Sequence, residues 1–281
     1  MPTFDTPEPI FVILDLSVGQ VRINASDRSD TVVEVRPSDP LKGSDAEAAE
    51  QTRIEYSMGR LMVKAPKNKA RSFFGGGASI DVTIDLPSGS RAEGKAAAAD
   101  FRAKGRLGET KFKVAAGGIR LDRTGTLKLS SASGDISVAG VVGHAEVGTG
   151  SGDVRIEEVD GTAVVKNASG DITVGEVTGD LRLNTAQGDI TVGRALSTVV
   201  AKTAQGSVRI GEVVRGSVVL ETGSGGLEVG IRKGTAAWID ARSHAGTVHN
   251  SLDAAAGPEG SDETVEVRAR TSSGDIVIRR A

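Results

Sequence analysis

The chain has 281 residues, among them 37 glycines, 8 prolines and no cysteine, and 34 Lys and Arg stand against 37 Asp and Glu for a formal net charge of −3. Without cysteine there is no disulfide framework, thiolate metal site or thiol nucleophile. The interspersed charges leave no strong electrostatic footprint for nucleic acid, so no nucleic-acid partner is expected. Abundant glycine with recurrent Val, Ile and Thr favours strands and turns, which makes the chain all-β.

Residues 1–9 read as an N-terminal tail. Met1-Pro2-Thr3-Phe4-Asp5 carries neither the basic nor the apolar region of a signal peptide, and the apolar run from Ile10 to Leu14 stops at Asp15. No stretch approaches the ~18 apolar residues of a membrane-spanning helix. A cytoplasmic location is the expectation.

From residue 10 to 281 the pattern predicts one continuous β-solenoid domain with insertions near 36–52, 64–79 and 250–263. Gly19 followed by Val21 and Ile23 is its first visible unit. Within the first insertion, Ser44 to Gln51 has the composition of a short capped helical turn. The second insertion sets Lys64, Lys67, Lys69 and Arg71 before Phe73-Phe74-Gly75-Gly76-Gly77. Lys67, Lys69, Arg71, Phe73 and Phe74 are therefore a candidate interaction loop for a partner groove, with membrane contact as a lesser alternative. Weighed against both is a plain packing role, in which the two aromatics cover part of the solenoid and the cations are solvated.

The repeat is clearest from Ser133-Gly134-Asp135-Ile136-Ser137-Val138 onward. It returns at Ser151-Gly152-Asp153-Val154, Ser169-Gly170-Asp171-Ile172, Gln187-Gly188-Asp189-Ile190 and Gln205-Gly206-Ser207-Val208, loosens at Gly225 and Gly246, and is restored at Ser273-Gly274-Asp275-Ile276. Gly134, Gly152, Gly170, Gly188 and Gly206 are 18 apart; intervals of 19, 21 and 28 follow. Gly117 with Ile119 and Leu121 fits one unit earlier. Inward positions two and four after each glycine hold Ile136 and Val138, Val154 and Ile156, Ile172 and Val174, Ile190 and Val192, and so on to Ile276 and Ile278. Seven and five before stand Leu127 and Leu129, Ala145 and Val147, and their equivalents. Val141, Val159, Val177, Ala195 and Val213 supply a third inward column.

Such a unit cannot bury its apolar face alone, so units must stack about 4.8 Å apart. The fold class predicted is a single-stranded parallel β-helix, or β-solenoid, of about 18 residues per rung, expected to be right-handed. A propeller blade of about 40 residues does not fit that period.

Three before each glycine runs a column of Ser131, Thr149, Asn167, Thr185, Thr203, Thr222, Ser243 and Thr271, read as inward groups bonded to turn backbone or to the next rung. Asp135, Asp153, Asp171 and Asp189 stack along one corner. Calcium-binding β-rolls use glycine–aspartate repeats too, but Ser207, Gly226 and Thr247 interrupt this column, so a structural role is expected and no metal site or cofactor is assigned. The outward residues Ser137, Arg155, Thr173, Thr191, Arg209, Glu228, His249 and Val277 show no convergence. His144, His244 and His249 lack the rest of a catalytic or metal set, so no catalytic residues are assigned.

With the Ser-Gly-Asp-Ile-x-Val repeats, the opening Leu16-Ser17-Val18-Gly19-Gln20-Val21-Arg22-Ile23 and Gly175-Glu176-Val177-Thr178-Gly179-Asp180-Leu181 in view, the chain resembles the bacterial β-strand-repeat family of unknown function whose members are often labelled adhesins, in particular its actinobacterial branch. That resemblance implies a β-helix-like fold, no established enzymatic activity and no catalytic residues to transfer. The expected function is a non-enzymatic scaffold or adhesin-like interaction protein that binds an unknown protein partner or its own copies. The alternative is a carbohydrate-binding or carbohydrate-active parallel β-helix protein.

Overall fold

The computed structural model describes residues 1–66, 77–252 and 263–281, which fall in two compact units, Met1–Val142 and Gly143–Ala281. In the first unit β1 (Thr3–Asp5), β2 (Phe11–Ser26) and β3 (Asp30–Pro37) precede helix α1 (Gly43–Gln51), β4 (Arg53–Ser57) and β5 (Arg60–Lys64). Then come β6 (Ile80–Pro87), β7 (Arg91–Arg106), β8 (Thr110–Ala116), β9 (Ile119–Thr124), β10 (Leu127–Ser133) and β11 (Ile136–Val142).

Strand β2 is long enough to form two sides of a rung. It buries Val12, Leu14 and Leu16, then, after a change of parity at Gly19, Val21, Ile23 and Ala25. One flank pairs in parallel with β7, from Phe11 opposite Arg91 to Asn24 opposite Lys104. The other flank pairs in parallel with β5 and β6 in turn, Phe11 opposite Arg60 and Gly19 opposite Ile80. The rung made of β5 and β6 therefore lies outside the rung that precedes it in sequence.

That outer rung does not end in another rung. Strand β4 adds antiparallel to β5, β3 antiparallel to β6, and β1 antiparallel to β3. The presumed tail thus supplies an edge strand, with Phe4 5.0 Å from the Tyr56 ring and the Thr6 and Thr31 hydroxyls 2.8 Å apart. The first insertion supplies α1, which buries Asp45 and Ala48. Short antiparallel strands satisfy the open backbone of a rung without offering a new one.

In the second unit, β12 (Ala145–Ser151) with β13 (Val154–Asp160) starts a series of rungs. It continues with β14 (Ala163–Ser169) and β15 (Ile172–Val177), β16 (Leu181–Gln187) and β17 (Ile190–Ala195), β18 (Val199–Gln205) and β19 (Val208–Val213), and β20 (Gly216–Ser224) and β21 (Leu227–Ile231). The last pairs are β22 (Thr235–Ala245) with β23 (Val248–Asn250), and β24 (Glu263–Ser273) with β25 (Ile276–Arg280). All ladders of this unit are parallel and in the register set by the repeat: Ile172 faces Ile190, which faces Val208. From β12 to β21 the three inward columns are buried. Two residues, not one, separate Val174 from Val177, so the strand bends there and a third side begins without a new strand.

The molecule is an all-β parallel solenoid, as the period requires. Its rungs do not all follow one another in space as they do in the chain. Strand β20 pairs with β24, and β22 lies on the far side of β24; likewise β21 pairs with β25, and β23 lies beyond it. The chain leaves one rung vacant, forms the next, and returns to fill the gap. Val267, Ala269, Ile276 and Ile278 are buried, while Ile239 and Ala241 are half-buried and Val248 and Asn250 exposed. The fully apolar set occupies the two-sided interior, where burial removes most surface from water. The set ending in Asn250 takes the edge, where a polar group keeps its water.

Candidate functional site

Each repeat corner is built by three neighbouring residues whose jobs differ. Gly188 has φ +134°, and a Cβ there would lie 2.1 Å from the Gly170 carbonyl oxygen, so both backbone conformation and stacking distance exclude a side chain. Three residues before each glycine, the buried polar column donates to corner carbonyls: Thr203 Oγ1 to Gly188 O at 3.2 Å, Thr222 Oγ1 to Gly206 O at 2.8 Å, Asn167 Nδ2 to Gly152 O at 3.0 Å. At the reordered end the partners follow space, with Thr271 Oγ1 on Gly225 O and Ser243 Oγ on Gly274 O. The ladder is structural, and its partners are corner carbonyls.

The carboxylates after the glycines are committed in the same way. The backbone N–H groups of Asp171, Asp189 and Ser207 donate to the Oδ1 of Asp153, Asp171 and Asp189 at 2.9, 2.8 and 2.7 Å. Gly118 N–H donates to Asp100 Oδ1 at 2.8 Å in the first unit. Each carboxylate therefore binds the next rung rather than closing its own turn. Asp275 receives both the backbone N–H and the hydroxyl of Thr247, and these two bonds hold its carboxyl below the usual carboxylate range.

The predicted interaction loop, Lys67, Lys69, Arg71, Phe73 and Phe74, lies outside the described residues. Its described flanks are anchored. Lys42 Nζ donates to Gly77 O at 3.0 Å and pairs with Asp45 at 3.1 Å, and Ser79 N–H donates to Asp45 Oδ1 at 3.2 Å. Burial alone would raise the Asp45 pKa; the Ser79 and Lys42 bonds outweigh it and the carboxyl stays below its ordinary value.

A second candidate escaped the reading of the repeat. On the outward face of the second side, Arg22 of β2 faces Arg102 of β7, and Arg102 faces Arg120 of β9. Lys104 lies two residues from Arg102 on the same face. All four are exposed. Like charges directly opposite one another on adjacent strands are unfavourable, by about 0.9 kcal/mol per neighbouring pair in water at this spacing. Of the acids on β7 and β9 beside the column, Asp100 Oδ1 accepts from Gly118 N–H and Asp122 Oδ2 from Gly105 N–H at 3.0 Å. Arg22 Nη2 donates to Gln20 Oε1, and among the described residues Arg102 and Arg120 have no carboxylate partner. The segment 91–128 carries ten basic and four acidic residues, a surplus hidden by the chain's net −3.

A family model described as Toastrack DUF4097 matches residues 13–279. The chain belongs to the Toastrack DUF4097 family. No curated protein matches it. Among solved structures, a "putative adhesin" from Bacteroides fragilis NCTC 9343 is similar at 14% identity, with 100% of this chain and 95% of that chain covered and a TM-score of 0.41. A "putative lipid binding protein" from Parabacteroides distasonis ATCC 8503 is similar at 11% identity, with coverage of 98% and 95% and a TM-score of 0.46.

In this Toastrack chain two of the three histidines lie beside threonine hydroxyls. His144 Nδ1 lies 2.7 Å from Thr162 Oγ1 and His249 Nε2 3.1 Å from Thr247 Oγ1. Among the described residues no three His, Asp or Glu side chains converge as a metal site would require. No helix among them is long and apolar enough to cross a membrane.

Proposed function

We propose that this Toastrack chain is a non-enzymatic β-solenoid interaction protein, and that the Arg22–Arg102–Arg120 face receives an acidic surface of a protein partner. The observation that carries the reading is the column itself: three guanidinium groups in consecutive rungs, with the flanking Asp100 and Asp122 held by backbone N–H groups. A planar guanidinium fork grips carboxylates bidentately, so a rigid row of three favours carboxylate groups presented in series. Rigid parallel rungs fix the spacing before the partner arrives, which lowers the ordering cost of association.

Fluorescence anisotropy with a labelled octaglutamate peptide and, in parallel, a labelled oligogalacturonate tests this. Peptide binding that weakens with salt and falls at least about tenfold in Arg102→Ser/Arg120→Ser is the expected result. Binding of neither probe, or equal peptide binding by the variant, overturns it. Binding of the oligogalacturonate alone overturns the protein-partner reading and moves the chain to the carbohydrate-binding class.

A further inference from the structure

The terminal rung of the second unit has the features of a pairing edge. Strands β22 and β23 each have one strand neighbour among the described residues, β24 and β25 respectively, so among those residues the opposite flank of β22 has no strand partner for its backbone N–H and C=O groups. It is long for an edge, 11 residues, carries no proline, and its two charges, Asp240 and Arg242, are of opposite sign. Trp238 stands 57% exposed on its outward face, Val248 of the same rung is 43% exposed, and the inward Ile239 and Ala241 are only half-buried. The first unit's outermost strands are different. Strand β4 has only five residues and β1 only three. They blunt pairing.

We infer that β22 pairs antiparallel with β22 of a second copy about a two-fold axis through Ala241. The self-complementarity of this strand selects that occupant. An antiparallel register centred on Ala241 sets Asp240 opposite Arg242 of the second copy and Arg242 opposite its Asp240. The same register sets Trp238 opposite His244, and the half-buried Ile239 opposite Ser243, twice each. Within one chain Asp240 pairs with Arg242 at 2.9 Å and lies 3.7 Å from Arg270 of β24, so the register exchanges its own Arg242 for that of the second copy while Arg270 stays beside it. A two-fold contact of one patch with itself closes on a dimer. A rung-on-rung head-to-tail stack would instead need an open rung in the first unit, where β4, β3 and β1 stand.

Sedimentation equilibrium over a concentration series, with the 28.8 kDa chain as the reference mass, is the test. The expected result is a monomer–dimer equilibrium with no larger species. Asp240→Arg puts like charges opposite each other at two symmetric places and should weaken dimerisation at least about tenfold. The swap Asp240→Arg/Arg242→Asp restores opposite charges in the same register and should return affinity to within about threefold of the wild type. Ala241→Pro, which removes a donor at the centre of the edge, should abolish the dimer while the monomer's circular dichroism is kept. A strict monomer at all concentrations, open-ended growth, or a dimer insensitive to Asp240→Arg and Ala241→Pro would each overturn the inference. Failure of the double swap to rescue would refute the Ala241-centred register.

Discussion

Ile190 and Thr191 are chain neighbours with opposite fates. Ile190 is fully buried in a column between Ile172 and Val208, and Thr191 points outward. Ile190→Ala should cost about 2–5 kcal/mol in denaturant unfolding, because rungs stacked on both sides cannot collapse into the void. Thr191→Ala should change stability by less than about 0.5 kcal/mol. Equal effects would show that the parity of the strand is misassigned. Gly188→Ala should cost at least about 2 kcal/mol, since strain at positive φ adds to the clash with the Gly170 carbonyl. All three outcomes are legible in the sequence, because period-two burial and an 18-residue interval require nothing beyond local geometry and stacking.

A single rung depends on the one next to it through backbone ladders and through the corner carboxylates. Asp275 ties β23 to β25 by its bonds to Thr247. Its folded pKa is below the ordinary value, so the carboxylate favours the folded state fully above about pH 4 and the contribution is lost as pH falls through the depressed folded value. Amide exchange of Val248 and His249, followed by NMR as the pH is lowered below about 4, should accelerate before that of Val208 and Ile210 in an interior rung. Asp275→Ala should bring the fast exchange to neutral pH and remove the acid step. Uniform acceleration of all rungs would show that Asp275 does not hold this edge. At this scale the sequence was only half informative. The Asp column and hydroxyl ladder could be read, but not that each carboxylate reaches the following rung. The arginine column was missed because β7 carries Ala99 opposite Gly19, so no glycine marks the rung between Gly19 and Gly117.

Each unit closes by displacing the order of the chain. In the first, β5 and β6 lie outside β2; in the second, β22 and β23 lie outside β24 and β25. Hydrogen exchange read by mass spectrometry distinguishes this from simple succession. Peptides from 263–281 should be protected like those of an interior rung and peptides from 235–250 should exchange early, although 235–250 comes first in sequence. The reverse order of protection would mean sequential stacking.

The 18-residue period, the inward columns and the corner glycines determined by themselves that this protein is a parallel β-solenoid, because a unit that short buries its apolar face only against its like. They also marked the disturbed region, through intervals of 21 and 28 and an asparagine at an inward position. Which rung became the edge was decided only by the tertiary structure. A local pattern is satisfied equally by either neighbour, whereas burial on two flanks favours the rung that is apolar at every inward position. The same holds for Arg22, Arg102 and Arg120. Their meeting depends on which strands pair, and that choice is made by the whole stack.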